Sequence, residues 1–215
     1  SDILHPYEKV IQIRKNEILG LVGESGSGKT TLGKIIAGYP EYSAQIGSEV
    51  TYFDETGQAY DYTDYRVREK LRYPIQIIHQ DPQFSLNPNM TVKESLIEAI
   101  KIGLVKILGK YNSTDVNNSF DKYCDALAFD TKLLHNKIKT LSGGQQRRLG
   151  IGRVFALKPR VIIADEPVAS LDSIIKNGIF QLFTYDDIHK LGFMCDKDEF
   201  TDTAMMLISH DLKSI

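Results

Sequence analysis

Short, unbroken apolar runs recur along the chain, separated by stretches with helical spacing. Ile18-Leu19-Gly20-Leu21-Val22 has the pattern of a buried parallel strand, and Val161-Ile162-Ile163-Ala164 and Met205-Met206-Leu207-Ile208 repeat it. Ile75-Gln76-Ile77-Ile78-His79-Gln80 predicts another strand, and Val10-Ile11-Gln12-Ile13 alternates enough to predict a short one. Lys15-Asn16 is the turn after it, because Asn tolerates the left-handed conformation. Between residues 39 and 65 six tyrosines, Tyr39, Tyr42, Tyr52, Tyr60, Tyr62 and Tyr65, surround the turn points Gly47 and Gly57. That pattern predicts antiparallel strands whose rings pack across the strands rather than stack on a base.

Helical spacing covers Thr31–Ala37 and the charged stretch Asp64–Arg72. Thr91 opens a longer helix, with Glu94 completing a capping box and Val92, Leu96, Ile97, Ile100 and Leu104 forming its apolar stripe. Asn112–Asn118 reads as a polar break before short helices at Phe120–Ala128 and Thr131–Lys137. A further helix runs from Ser142 to about Leu157, and another covers Ser173–Phe183. Residues 91–140 thus interrupt the alternation of strand and helix. The expected fold is α/β: one domain over residues 1–215, with a mostly parallel core and antiparallel β-strands in 1–90 and 141–215. A helical subdomain is inserted at 91–140.

Composition adds limits. The chain has 215 residues, 42% hydrophobic and 25% charged, which are ordinary globular values. A net charge of -2 gives no electrostatic case for a nucleic-acid partner. Cys124 and Cys195 lie far apart and match no metal-ligand spacing, which reads as reduced thiols. No apolar run reaches the length of a membrane span and no signal peptide is visible, so a soluble cytoplasmic chain is expected. Because it starts at Ser1 and stops at Ile215 soon after a strand, a fragment is expected too.

The chemistry gathers where the apolar runs stop. Gly23-Glu24-Ser25-Gly26-Ser27-Gly28-Lys29-Thr30, followed by Thr31, stands between a strand and a helix. Glycines let the loop curl so that its N–H groups face inward, and the helix adds its positive end. Lys29 can reach the β- and γ-phosphates, and the Thr30 hydroxyl can hold Mg²⁺. An ordinary glycine-rich turn would not require Gly28-Lys29-Thr30 at a helix start. Asp165 and Glu166 close a strand at its carboxyl end, where open α/β sheets place ligands. One carboxylate suits Mg²⁺ and its neighbour suits the proton of an attacking water. Gln80 and His210 follow apolar runs in the same way. A Gln there can reach metal and water, and a His can hydrogen-bond a γ-phosphate oxygen. Leu141-Ser142-Gly143-Gly144-Gln145 begins another helix. Ser142 and Gln145 form a capping box, but the cap does not explain two glycines where better helix formers would serve. Glycines at a helix N-terminus admit an anion, and this chain already has a phosphate loop of its own.

In this order the motifs GESGSGKT, Gln80, LSGGQ, VIIADEP and the His210 strand end resemble the ATPase subunit of an ABC transporter over nearly the whole chain. The resemblance implies a P-loop core that binds ATP and Mg²⁺, with Gly23–Thr30 as Walker A and Gln80 as the Q-loop residue. It makes Leu141–Gln145 the signature, Asp165 the Walker B metal residue, Glu166 the catalytic base, Ser170-Leu171-Asp172 the D-loop and His210 the switch histidine. It implies that two cassettes sandwich ATP between one Walker A and the other chain's signature. His79-Gln80-Asp81-Pro82, Ser85-Leu86-Asn87-Pro88, Asp165-Glu166-Pro167-Val168 and Ile208-Ser209-His210-Asp211 are similar to the oligopeptide, dipeptide and nickel importers. That branch implies transmembrane permease subunits, an extracytoplasmic substrate-binding protein acting indirectly, and a place on the cytoplasmic face of the membrane. It usually carries further strands and a helix beyond the histidine, so a C-terminally truncated cassette is expected. The competing expectation is a soluble ABC ATPase that moves no solute, acting in translation, DNA repair or an enzyme complex. A plain P-loop kinase or GTPase would not need LSGGQ.

Overall fold

The structure is a computed structural model, and it describes residues 10–39, 41–42, 49–81, 85–127, 129–166 and 203–210. In chain order the elements are β1 (Ile18–Val22), α1 (Lys29–Ile36), β2 (Thr51–Phe53), β3 (Ala59–Asp61), α2 (Tyr65–Lys70), β4 (Ile75–Ile78), α3 (Val92–Leu108), α4 (Ser113–Ala126), α5 (Gly143–Ala156), β5 (Val161–Asp165) and β6 (Ala204–Ser209). One-turn 3₁₀ helices stand at Thr131–Leu133 and Ile138–Thr140. The expected helix at Ser173–Phe183, the D-loop, Cys195 and Gly47 lie outside the described residues.

The chain divides into two compact units. The first draws its described residues from Ser1–Ile77, Pro159–Glu166 and Thr203–Ile215. Its sheet runs in the order β1-β6-β5-β4, with β6 parallel to both β1 and β5. Their continuous apolar sequences predict burial on both faces, and every residue of β6 and all but Val161 of β5 are buried. The core joins Tyr62, Ile75, Ile77, Ile163, Met206 and Ile208, with Leu21, Leu32 and Ile36 packed against it. Helix α1 lies on β5 and β6. A Cβ at Gly33 would stand 2.9 Å from Ile208 Cδ1 and 3.1 Å from Ile163 Cγ2, so the glycine allows that close approach.

Two strand expectations change. Strand β1 is parallel as expected but not buried: Ile18 is 55% exposed, because β1 ends the described sheet and pairs on one side only. Residues 10–13 join no sheet among the described residues, and Val10 is 84% exposed. Alternation alone cannot make a strand, since ladder bonds need a partner. The turn after them forms: Asn16 has φ 61°, and the Glu17 N–H donates to the Arg14 carbonyl at 3.1 Å.

Strands β2 and β3 form the antiparallel hairpin that the tyrosines predict, with Tyr52 opposite Tyr60. Its turn uses Gly57 at φ 83°. The Asp54 carboxylate accepts from the Thr56 N–H at 2.9 Å, the Gln58 N–H at 3.1 Å and the Tyr60 hydroxyl at 3.0 Å. Tyr62 is wholly buried, with its ring centroid 6.1 Å from that of Tyr52. Burial pushes the Tyr62 phenol up to about 12.

The second unit takes its described residues from Ile78–Lys158. Capping boxes start its helices. The Thr91 N–H donates to Glu94 Oε2 at 2.7 Å, and the Glu94 N–H returns a bond to Thr91 Oγ1 at 3.2 Å. The expected break at Asn112–Asn118 is instead the start of α4. Asn112 is its N-cap and Asp115 the returning partner, at 3.0 and 2.9 Å. Polar residues that disfavour a helix interior favour its first turn, and burial of Val116, Phe120, Tyr123 and Cys124 supplies the stripe. The Cys124 thiol is free, and burial, with Asp121 and Asp125 nearby, pushes it up to about 11. The expected helix at Thr131–Lys137 shrinks to one turn, Thr131–Leu133, because the Leu134 and Asn136 carbonyls accept from the Lys93 and Val92 N–H groups of α3.

Helices α3 and α5 cross where Gly103 faces Ala156. A Cβ built at Gly103 would overlap the Ala156 carbonyl oxygen. Arg153 fastens the same pair: its guanidinium bonds the Ser95 carbonyl and hydroxyl, and meets Glu98 at 2.9 Å. Helix propensity alone favours Ala over Gly by about 1 kcal/mol. The overlap is with backbone, which cannot swing aside as a side chain can, so overpacking wins. Gly103→Ala is expected to destabilise the protein by about 1–3 kcal/mol, read as a lowered urea midpoint with an unchanged slope. A raised midpoint would show that the helices separate without cost.

Candidate active site

Strand β1 delivers the chain into the loop Gly23–Gly28, and α1 begins at Lys29. Gly26 has φ 81° and Gly28 φ 89°, conformations in which a side chain would be strained. Gly28 caps α1 without any side-chain hydrogen bond to the helix's first N–H groups. Those donors and the positive end of α1 suit an anion. The Lys29 ammonium folds across the loop and donates to the Gly23 carbonyl at 2.8 Å and the Glu24 carbonyl at 2.6 Å, with Ser27 Oγ at 3.4 Å. Its charge therefore stands over the loop mouth. Glu24, Ser25, Gly26, Ser27 and Thr30 are exposed, and Thr31 is half-buried along the same turn.

Asp165 ends β5 and is 3% exposed. Burial raises its carboxyl above the usual carboxylate range, opposed by a hydrogen bond from Thr30 and then reinforced by the Glu166 charge. Lys34 and Lys29 pull it back down. A buried carboxylate bonded to a hydroxyl is an oxygen donor pair suited to Mg²⁺, so these residues fit that ion. Lys34 was not a sequence candidate. It follows Thr30 by one helical turn, and that spacing was the available signal.

Glu166 comes directly after Asp165, at φ 46°, with its N–H donating to the Ile208 carbonyl at 3.0 Å. Its Oε1 lies 2.7 Å from His210 Nδ1, and the imidazole is exposed. The sequence suggested a role for each residue; their pairing is a tertiary result. A non-glycine residue at positive φ beside a catalytic candidate costs of order 1–3 kcal/mol and is held here by the β6 carbonyl.

The loop Gly23–Thr30, Asp165, Glu166 and His210 thus belong to the first unit. Gln80 and Ser142–Gln145 belong to the second. Gln80 stands two residues past β4, is exposed, and its carbonyl accepts from the Arg147 guanidinium. Ser142 caps α5: its N–H donates to Gln145 Oε1 at 2.8 Å, and Gln145 N–H returns to Ser142 Oγ at 3.3 Å. Ser142 and Gly143 are exposed, and a Cβ at Gly143 would meet nothing within 4 Å. The start of α5 is therefore open.

A family profile, ABC transporter, matches residues 10–169. The oligopeptide transport ATP-binding protein OppF of Lactococcus lactis is 33% identical over 204 residues, covering 94% of this chain and 56% of that protein. The peptidoglycan transport ATP-binding protein YejF of Agrobacterium fabrum is 30% identical over 205 residues, covering 95% of this chain and 34% of that protein. The chain therefore spans about half or less of these relatives. Among solved structures, the dimeric bacterial ABC transporter cassette MJ0796 superposes with a TM-score of 0.68 at 21% identity, covering 95% of this chain and 79% of that one. The same cassette in a post-hydrolysis state bound to ADP and Pi gives 0.67 at 24%. Both establish the fold.

Because the folded Asp165 carboxyl sits above its unfolded value, its burial costs stability. That cost is absent at low pH and grows as pH rises through the unfolded value toward the folded one. Asp165→Asn is expected to raise the melting temperature of the nucleotide-free protein near neutral pH, with the gap closing on acidification. Equal melting temperatures at neutral pH would show that Thr30 and the lysines offset the burial fully.

Proposed function

Since the chain belongs to the ABC transporter family, we propose that it is the ATP-binding and hydrolysing part of a transporter that imports peptides or a related small solute. The family and the relatives' names support the transport reading. One observation carries the chemistry: the uncapped phosphate loop, the Thr30–Asp165 contact and the Glu166–His210 pair lie together in one unit.

ATP phosphates bind the loop N–H groups of Gly23–Thr31 and the start of α1, beside the Lys29 ammonium. Thr30 and Asp165 would hold Mg²⁺, with Gln80 in the role that the resemblance implies. When bound, that ion neutralises charge on the β- and γ-phosphate oxygens. Glu166 takes the proton of the attacking water, and His210 orients its carboxylate; their contact through Oε1 supports this. The open start of α5, with Ser142 and the amides of Gly143 and Gly144, receives the γ-phosphate of an ATP held by a second cassette. No helix among the described residues is long and apolar enough to cross a membrane. The reading includes attachment at the cytoplasmic face through permease subunits, served by an extracytoplasmic substrate-binding protein.

Glu166→Gln is expected to keep ATP affinity and lower turnover by roughly 10²-fold or more, measured by nucleotide titration and phosphate release in the assembled complex. Wild-type turnover in that variant would remove Glu166 from the chemistry. Mixing tests the second cassette. Chains with Lys29→Ala and chains with Ser142→Arg, each inactive alone, form mixed dimers with one doubly damaged site and one intact site. Part of the activity should return on mixing. No recovery, with mixed dimers shown by cross-linking, would count against the shared site.

A further inference from the structure

We propose that Arg147 is a positioning residue: it ties the main chain of Gln80 to the first turns of α5, so that the Q-loop and the signature act as one piece. The inference rests on the reading of Gln80 and Ser142–Gln145 given above. Arg147 is the fifth residue of α5 and is 6% exposed. Its guanidinium donates to the Gln80 carbonyl, across 67 positions of sequence, and both residues lie in the second unit.

The start of α5 is held by other bonds. Ser142 and Gln145 close their capping box, and Gln146 Nε2 donates to the Ile138 and Leu141 carbonyls at 3.2 Å each. The next arginine, Arg148, turns elsewhere: it donates to the Leu127 carbonyl at 3.1 Å and lies 5.5 Å from the Phe129 ring. Arg148 thus serves the end of α4, while Arg147 serves Gln80. Burying a guanidinium merely to fill space is unfavourable by several kcal/mol. An apolar residue would pack there without that cost but could not donate to the Gln80 carbonyl, as the Arg147 guanidinium does. Gln80 itself is exposed. Fixing its carbonyl restrains where its side chain can reach.

The test is a double-mutant cycle in the full-length protein with its membrane partners: Arg147→Gln, Gln80→Ala and the pair together, with Arg147→Lys as the conservative variant. Arg147→Gln is expected to lower kcat about tenfold with ATP affinity within about twofold of wild type, the scale of one charged hydrogen bond. Arg147→Lys should recover part of the loss. The decisive outcome is coupling: with Gln80 already Ala, replacing Arg147 should slow hydrolysis no further. Losses that multiply in the double variant, or an Arg147→Gln kcat equal to wild type, would overturn the proposal. If Arg147→Gln does not fold, the cycle run with Arg147→Lys decides in the same way. A wild-type protein without ATP hydrolysis would overturn the functional reading, and this inference with it. A normal wild type with additive losses overturns this inference alone.

Discussion

The pairing of β5 with β6 is the constraint on which the site depends. Asp165 lies opposite Ile208 in a parallel register, so Glu166 and His210 leave the sheet side by side. The Ile208 carbonyl accepts the Glu166 N–H, and the Glu166 carboxylate then reaches His210. A slip of one residue would turn every side chain of β6 to the opposite face and break that pairing. All six residues of β6 are buried, so a slip would have to repack both faces at close-packed density. The chemistry is therefore positioned by the hydrophobic core and not by the loops alone.

A second balance concerns charge. Asp165 is buried at an energetic cost and is kept near cations, Lys34 and Lys29, rather than paired tightly with one of them. Lys29 spends its hydrogen bonds on backbone carbonyls of its own loop. Neither group is neutralised by a close ion pair with the other, as the proposed phosphate and Mg²⁺ roles require. Sites that bind such ligands commonly give up stability in this way. The positive φ at Glu166 fits the same pattern: local strain tolerated where the surrounding sheet overrides it.

In the second unit the balance is between closed and open helix ends. Helices α3, α4 and α5 all start with a reciprocal side-chain cap. The cap of α5 differs at the next position, where Gly143 has empty space in place of a side chain. Capping satisfies the helix while the glycine keeps its positive end accessible. Close packing elsewhere, as where Gly103 meets Ala156, seats the helix against α3.

Much of this was legible in the residues themselves. Continuous apolar runs announce β5 and β6, because strands buried on both faces need no polar alternation. GESGSGKT announces its loop because only certain residues allow those turns, and Thr91 with Glu94 announces a helix start through bonds made between near neighbours. Features that depend on distant partners were not legible. Residues 10–13 alternate like a strand yet pair with no strand among the described residues. Asn112–Asn118 reads as a break because its helical stripe is seen only once Val116 and Phe120 are buried. The Glu166–His210 pair spans 44 positions and the Arg147–Gln80 bond 67. Local bonds are written in neighbouring residues, whereas burial, strand register and contacts across the chain exist only after it has closed on itself.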